Sequence, residues 1–152
     1  MKNETTVERK SEREVVITRT FNAPARLVFE AWTKPELMGR WWVPKSSGLT
    51  LLSCEMDVRI GGTYRFVFQA TPEPMAVFGR YLEVSPHSRL VWTNEEGGDA
   101  GQVSTVTLED RGDTTRMVLH ELYPSSEALV AGMGAYDGMP ESFNQLDELL
   151  AG

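Results

Sequence analysis

The chain has 152 residues, 41% of them apolar, which is enough for one domain with a real core and gives no case for a second. Its 22 acidic and 15 basic residues leave a net charge of −7, and the basic ones form no cluster, which argues against a phosphate-backbone partner such as nucleic acid. The one cysteine, Cys54, excludes an internal disulfide framework, and no apolar run approaches the ~20 residues needed to span a bilayer.

Residues 1–13 are polar and without periodicity, so a loose N-terminal tail is expected ahead of a single domain over 14–152. MKNETTVERKSERE contains no apolar segment of signal-peptide type, and a cytoplasmic setting is the expectation. Glu14 to Phe21 is β-branched and alternates Val15, Ile17, Arg19 and Phe21 against Val16, Thr18 and Thr20, which predicts a strand. Two short helices are predicted next. Asn22 is a good cap, Pro24 suits a first turn, and Leu27, Val28, Ala31 and Trp32 form an apolar stripe. Pro35 ends this helix and starts another, in which Leu37, Met38, Trp41 and Trp42 repeat the stripe until Pro44. Helices this short are unstable alone and need something to dock on.

Leu49 to Val58 predicts a second strand and Gly61-Gly62 a turn. Thr63 to Gln69 alternates most clearly, with Tyr64, Phe66 and Phe68 on the face expected to be buried. Ala76 to Val84 follows as a strand in which Gly79 marks a bulge or a close approach. Arg89 to Asn94 is a further strand, and residues 95–101 read as an exposed turn. Gln102 to Glu109 and Thr114 to Leu122 are joined by Asp110-Arg111-Gly112-Asp113 as a hairpin. From Ser125 the period changes to 3.6. Met139, Phe143, Leu146 and Leu150 lie along one side of a helix that Leu129, Met133 and Tyr136 extend towards its start, with a kink or break expected between Gly134 and Pro140. The order predicts an α+β fold in which about seven antiparallel strands curve around a long C-terminal helix, with the two short helices between strands one and two.

Several blocks in this order, FNAPARLVFEAWTKPELMGRWW, CEMDVRIGGTYRF, GRYLEVSPHSRLVWT, TRMVLHE and GMPESFNQLDELL, resemble the START-like (helix-grip, SRPBCC) superfamily. More narrowly they resemble its bacterial branch named after the activator of the heat-shock chaperone ATPase. The resemblance covers Glu14 to Ala151. It departs from the family at Gly138-Met139, where members often carry tryptophan after the glycine. It implies a helix-grip fold, in which the space between sheet and helix is either filled or hollow.

The residues expected on the wall of that space are Trp41, Trp42, Tyr64, Phe66, Phe68, Tyr81, Trp92, Met117, Leu119, His120, Met133, Tyr136, Met139 and Phe143, all of which are otherwise core residues. Adjacent helical residues point about 100° apart, so one of Trp41 and Trp42 should enter the core and the other sit at a rim. Glu55, Asp57 and Arg59 read as an exposed, salt-bridged strand face. His87 and His120 lack metal-spaced partners, Cys54 has no activating histidine nearby, and no GxSxG, HExxH or P-loop motif occurs, so no catalytic residue, metal or cofactor is expected. The leading expectation is non-enzymatic binding of a hydrophobic or lipid-like small molecule. A chaperone-associated module is the first alternative. A cyclase or hydrolase using the same cavity is the second, with His120, Arg80, Glu55 and Tyr81 as the side chains to check. A homodimer fits this class of protein.

Overall fold

The computed structural model describes residues 4–69, 72–95 and 101–151, so the expected turn over 95–101 lies largely outside the described residues. Its strands are β1 (Thr6–Arg9), β2 (Glu14–Phe21), β3 (Thr50–Met56), β4 (Thr63–Gln69), β5 (Met75–Ser85), β6 (Arg89–Asn94), β7 (Gln102–Asp110) and β8 (Thr115–Leu122). They form one antiparallel sheet of eight strands in the order β1-β2-β8-β7-β6-β5-β4-β3. The eighth strand corrects the expectation of about seven and of a loose tail. Thr6–Arg9 pairs with β2, although all four of its residues are exposed. An edge strand needs no core when the ladder hydrogen bonds are available, and its charged, solvated face blunts further pairing.

Residues opposite each other in antiparallel pairs face the same side, so the registers assemble rows across the sheet. Tyr81, Trp92, Ser104, Glu121 and Val15 form one row over β5, β6, β7, β8 and β2, and Leu90, Val106, Leu119 and Ile17 form the next. Every residue of these rows is buried, which marks the inner face. Tyr64, Phe66 and Phe68 carry it onto β4 as their alternation predicts. Gly79 is the close approach foreseen for it. A Cβ there would stand 1.9 Å from the Thr93 carbonyl oxygen, so only glycine lets β5 pass β6 at this point.

Between β2 and β3, which lie towards opposite edges, α1 (Ala25–Thr33) and α2 (Pro35–Trp41) carry the chain across. The start of α1 differs from the sequence reading. Pro24, extended at ψ 155°, is the flanking residue, and its carbonyl accepts from Leu27 and Val28, while the Asn22 side chain makes no cap. Lys34 sits before Pro35 and is therefore extended. Its N–H closes α1 on Glu30, and its carbonyl opens α2 by accepting from Leu37 and Met38. One residue thus ends one helix and begins the next.

The closing segment is not one long helix. α3 (Ser126–Gly132), capped by the Ser125 side chain accepting from Ala128, gives way to a 3-10 turn over Met133–Gly138 and then to α4 (Met139–Ala151). The break starts one residue before the expected window. Gly132, Gly134 and Gly138 are costly in a helix interior, and Pro140 falls in the first turn of α4, where no N–H partner is needed. Leu129, Phe143 and Leu146 bury the inner stripe. α4 is tied to β2 by Arg19, whose Nη2 donates to Asp147 Oδ2 and Asn144 Oδ1, each at 2.9 Å.

Candidate functional site

The two short helices exist to place tryptophans. Trp41 is fully buried, and its Nε1–H donates to the Ala31 carbonyl at 3.0 Å, so its one polar atom is satisfied inside the core. Trp42 is half-buried and faces the interior space, as the 100° offset requires. All four tryptophans form one group, with Trp32 at ring-centroid distances of 4.9 Å from Trp41, 5.8 Å from Trp42 and 5.6 Å from Trp92. The Trp32 Nε1–H is buried with no hydrogen-bond partner among the described residues.

The end of α2 is held by a side chain that sequence reading overlooked. Gln145 of α4 donates through Nε2 to the carbonyls of Trp41 (3.0 Å) and Val43 (2.9 Å) and accepts from Lys45 N–H through Oε1 at 2.9 Å. Ser142 Oγ donates to the Trp42 carbonyl at 2.9 Å. Helix α4 therefore fixes the backbone from which Trp42 projects.

A cavity of about 250 Å³ lies between the inner face of the sheet and the helices. Its wall is formed by Trp32, Met38, Trp42, Tyr64, Phe66, Phe68, Val77, Tyr81, Leu90, Trp92, Leu119 and Met139, with Asn94, Gln102, Ser104, Glu121, Tyr123, Gly132 and Tyr136 supplying the more polar part. The wall is thus mostly aromatic and aliphatic, with a few convergent polar groups.

Those polar groups are joined. Glu121 is the last inward residue of β8, after Thr115, Met117 and Leu119, and it is buried. Gln102 Nε2 donates to Glu121 Oε2 at 2.6 Å. The Tyr123 and Tyr136 hydroxyls hydrogen-bond each other. Burial first, then the negative charge of Glu121, push the Tyr136 phenol far above its ordinary range, and its hydrogen bonds with Tyr123 and Glu121 add to the effect. Tyr123 is raised by burial, against a lowering by the Tyr136 hydrogen bond. Across the wall, Tyr64 Oη donates to the Thr93 carbonyl at 2.7 Å, and burial also raises the Tyr81 phenol. The raised phenols of Tyr81, Tyr123 and Tyr136 stay protonated and act as hydrogen-bonding groups rather than as bases.

Of the residues expected on the wall, Trp42, Tyr64, Phe66, Phe68, Tyr81, Trp92, Leu119, Tyr136 and Met139 line it. Trp41, Met117 and Phe143 are solid core instead, each at most 1% exposed, and Met133 is half-buried against the core without lining the space. His120 points the other way. It alternates with Leu119 on β8, so the two cannot share a face, and its Nε2 pairs with Glu14 Oε2 at 2.7 Å outside the cavity. That hydrogen bond, followed by one from Ser11, holds the Glu14 carboxyl below its ordinary range.

Of the side chains to check for catalysis, only Tyr81 reaches the wall. Arg80 pairs with Glu95 at 2.9 Å on the surface, and Glu55 is exposed. Asp57 and Arg59 form an exposed pair at 2.9 Å. Half-buried Cys54 has its thiol pushed up to about 11, by burial and then by the charge of Glu36, which leaves it a poor nucleophile. Among the described residues no group of three or more His, Cys, Asp or Glu could hold a metal ion, and no helix of the described residues is long and apolar enough to cross a membrane. Sequence reading missed Trp32, Met38, Val77, Leu90 and the polar group Asn94, Gln102, Ser104, Glu121, Tyr123. The signal for Glu121 was present in the alternation that fixes Met117 and Leu119.

Residues 22–151 match the family model described as activator of Hsp90 ATPase homolog 1-like protein. The chain belongs to this family. Solved structures agree on the helix-grip fold. A Rhodobacter sphaeroides protein is 23% identical with a TM-score of 0.85, over 97% of this chain and 98% of its own. Protein NE0264 of Nitrosomonas europaea is 26% identical with a TM-score of 0.81, over 94% of this chain and 97% of its own. Protein CV1439 of Chromobacterium violaceum is 27% identical with a TM-score of 0.76, over 90% and 96%. No curated protein matches the chain in sequence.

Proposed function

We propose that this protein binds a small molecule with a largely apolar body, the size of one or two fused rings, in the cavity between sheet and C-terminal helices. The observation that carries this reading is the cavity of about 250 Å³. At ~30 Å³ per water it has the volume of about eight waters, and it exceeds the ~150 Å³ at which an engineered apolar cavity in another protein already binds benzene. A core packed only for stability leaves few voids larger than a water molecule.

The test joins native mass spectrometry of freshly purified protein with thermal shift against a panel of apolar bicyclic compounds. A ligand present at a hundred times its Kd adds about 2.7 kcal/mol, or roughly 5–11 °C for a domain of this size. Met139→Trp, which narrows the wall with the residue that relatives often carry there, should weaken the shift while leaving the protein folded. No co-purified ligand and no shift with any compound would remove the reading. The same preparations, assayed for a change in a chaperone's ATPase rate, test the alternative that the family description suggests.

A further inference from the structure

We propose that the cavity selects, among apolar ring compounds, those carrying a hydrogen-bond donor such as a hydroxyl group, and that Glu121 is the side chain that reads it. This deepens the binding reading and rests on it. The row Tyr81, Trp92, Ser104, Glu121 runs from aromatic to acidic across adjacent strands. At ~4.8 Å per strand, Trp92 and Glu121 are about 10 Å apart along the sheet, a span that a bicyclic molecule fills. Trp92 stacks beside Trp32 at one end, so the apolar body has its place there.

At the other end stands a buried carboxylate on the cavity wall, backed by Gln102 and Tyr136. In its charged form a carboxylate only accepts hydrogen bonds, so it favours a donor on the ligand and opposes an anion. Gln102 holds Oε2 at 2.6 Å, which fixes the carboxylate in the wall rather than leaving it to swing. An apolar residue in its place would leave Gln102 and Tyr136 without their acceptor, so the acid stands in the wall as the centre of a polar group. A site needing only grease would have no use for the acid.

The experiment is calorimetric titration of the intact protein with 2-naphthol, its methyl ether 2-methoxynaphthalene, and 2-naphthoate, in the parent and in Glu121→Gln. The expected result is that 2-naphthol binds roughly 10- to 100-fold more tightly than the ether, the worth of one hydrogen bond to a charged group, and that 2-naphthoate binds weakest. In Glu121→Gln the gap between alcohol and ether should narrow and 2-naphthoate should gain. Equal binding of alcohol and ether by the parent overturns the inference and leaves the binding reading standing, as does a preference unchanged in Glu121→Gln. Failure of all three probes to bind overturns the inference, and the binding reading falls with it only when the mass spectrum and the wider panel are empty as well. The parent alone can overturn the inference, by binding alcohol and ether equally, even if the variant does not fold.

Discussion

Removing Asp147 tests whether the buried cation on β2 is what holds the C-terminal helix to the sheet. The Arg19 side chain is 2% exposed against 20% for Asp147, at 2.9 Å between Nη2 and Oδ2. Nη1 donates to Thr5 Oγ1 at 2.9 Å, while the buried Nε has no partner among the described residues, so among these the guanidinium is incompletely satisfied. Asp147→Ala leaves that charge buried with only neutral partners. Breaking a buried pair costs about 3–5 kcal/mol, and the partial exposure of Asp147 lets water replace some of it, so about 3 kcal/mol is the working figure. The lost acceptor for Asn22 N–H, at 3.4 Å, adds little. Urea denaturation should show the loss as a lower midpoint at unchanged slope, and calorimetry as a fall of roughly 6–12 °C. Arg19→Met combined with Asp147→Leu, which removes both charges, should return to within about 1 kcal/mol of the parent. A single variant within about 0.5 kcal/mol of the parent, or a double variant no better than the single, would refute the reasoning.

Gly79→Ala sets a Cβ 1.9 Å from the Thr93 carbonyl oxygen, a backbone atom that cannot swing aside. A loss of about 3 kcal/mol is expected, and a urea midpoint equal to the parent's would show that β5 and β6 separate freely. Gln145→Leu removes hydrogen bonds to Trp41, Val43 and Lys45 and should cost about 2–4 kcal/mol, with a shift in tryptophan emission as Trp42 loosens; unchanged emission with unchanged stability would sink the clamp. Glu141 is held below its ordinary 4.5 by hydrogen bonds from the Ser46 side chain first and then the Ser46 backbone. A depressed carboxyl stabilises the fold above the unfolded value and stops doing so as pH falls through the folded one. Glu141→Gln should therefore lower Tm at pH 7 and converge with the parent as pH falls below the carboxyl's lowered value, as read by melts across pH; a gap that persists in strong acid contradicts the assignment.

Alternation made much of the sheet legible. Tyr64, Phe66 and Phe68 are inward because every second residue of a half-buried strand must be, and the same rule gave the inner face of β2. It was not carried far enough on β8, where placing both Leu119 and His120 on the wall breaks the period of two and hides Glu121. β7 was read as a strand without its faces being assigned, although Ser104 alternates in step with Val106 and Leu108 and is buried with them. Helix faces were read correctly at Trp32 as an apolar stripe, yet whether an apolar side chain meets core or void depends on what stands opposite. Trp41 has Phe143 before it at 6.1 Å, whereas Trp42 has the cavity. The strand at Thr6–Arg9 had no buried face to betray it.

The molecule separates the residues that hold it together from those that line its interior. Arg19, Asp147, Gln145 and Ser142 fasten α4 to the sheet and to the end of α2 from outside the cavity wall, and none of them lines it. The wall itself carries the choices that a core selected only for stability would avoid: a buried acid, a small serine opposite it on β7, and an indole N–H without a partner at Trp32. Marginal stability makes such choices tolerable only where other contacts offset them. The fasteners break a local rule as well, since the Arg19 guanidinium is buried with its Nε–H unpartnered among the described residues, but there Asp147 and Asn144 offset the cost. The acid, the serine and the indole on the wall belong instead to residues that line one space, which is the grouping the binding reading expects.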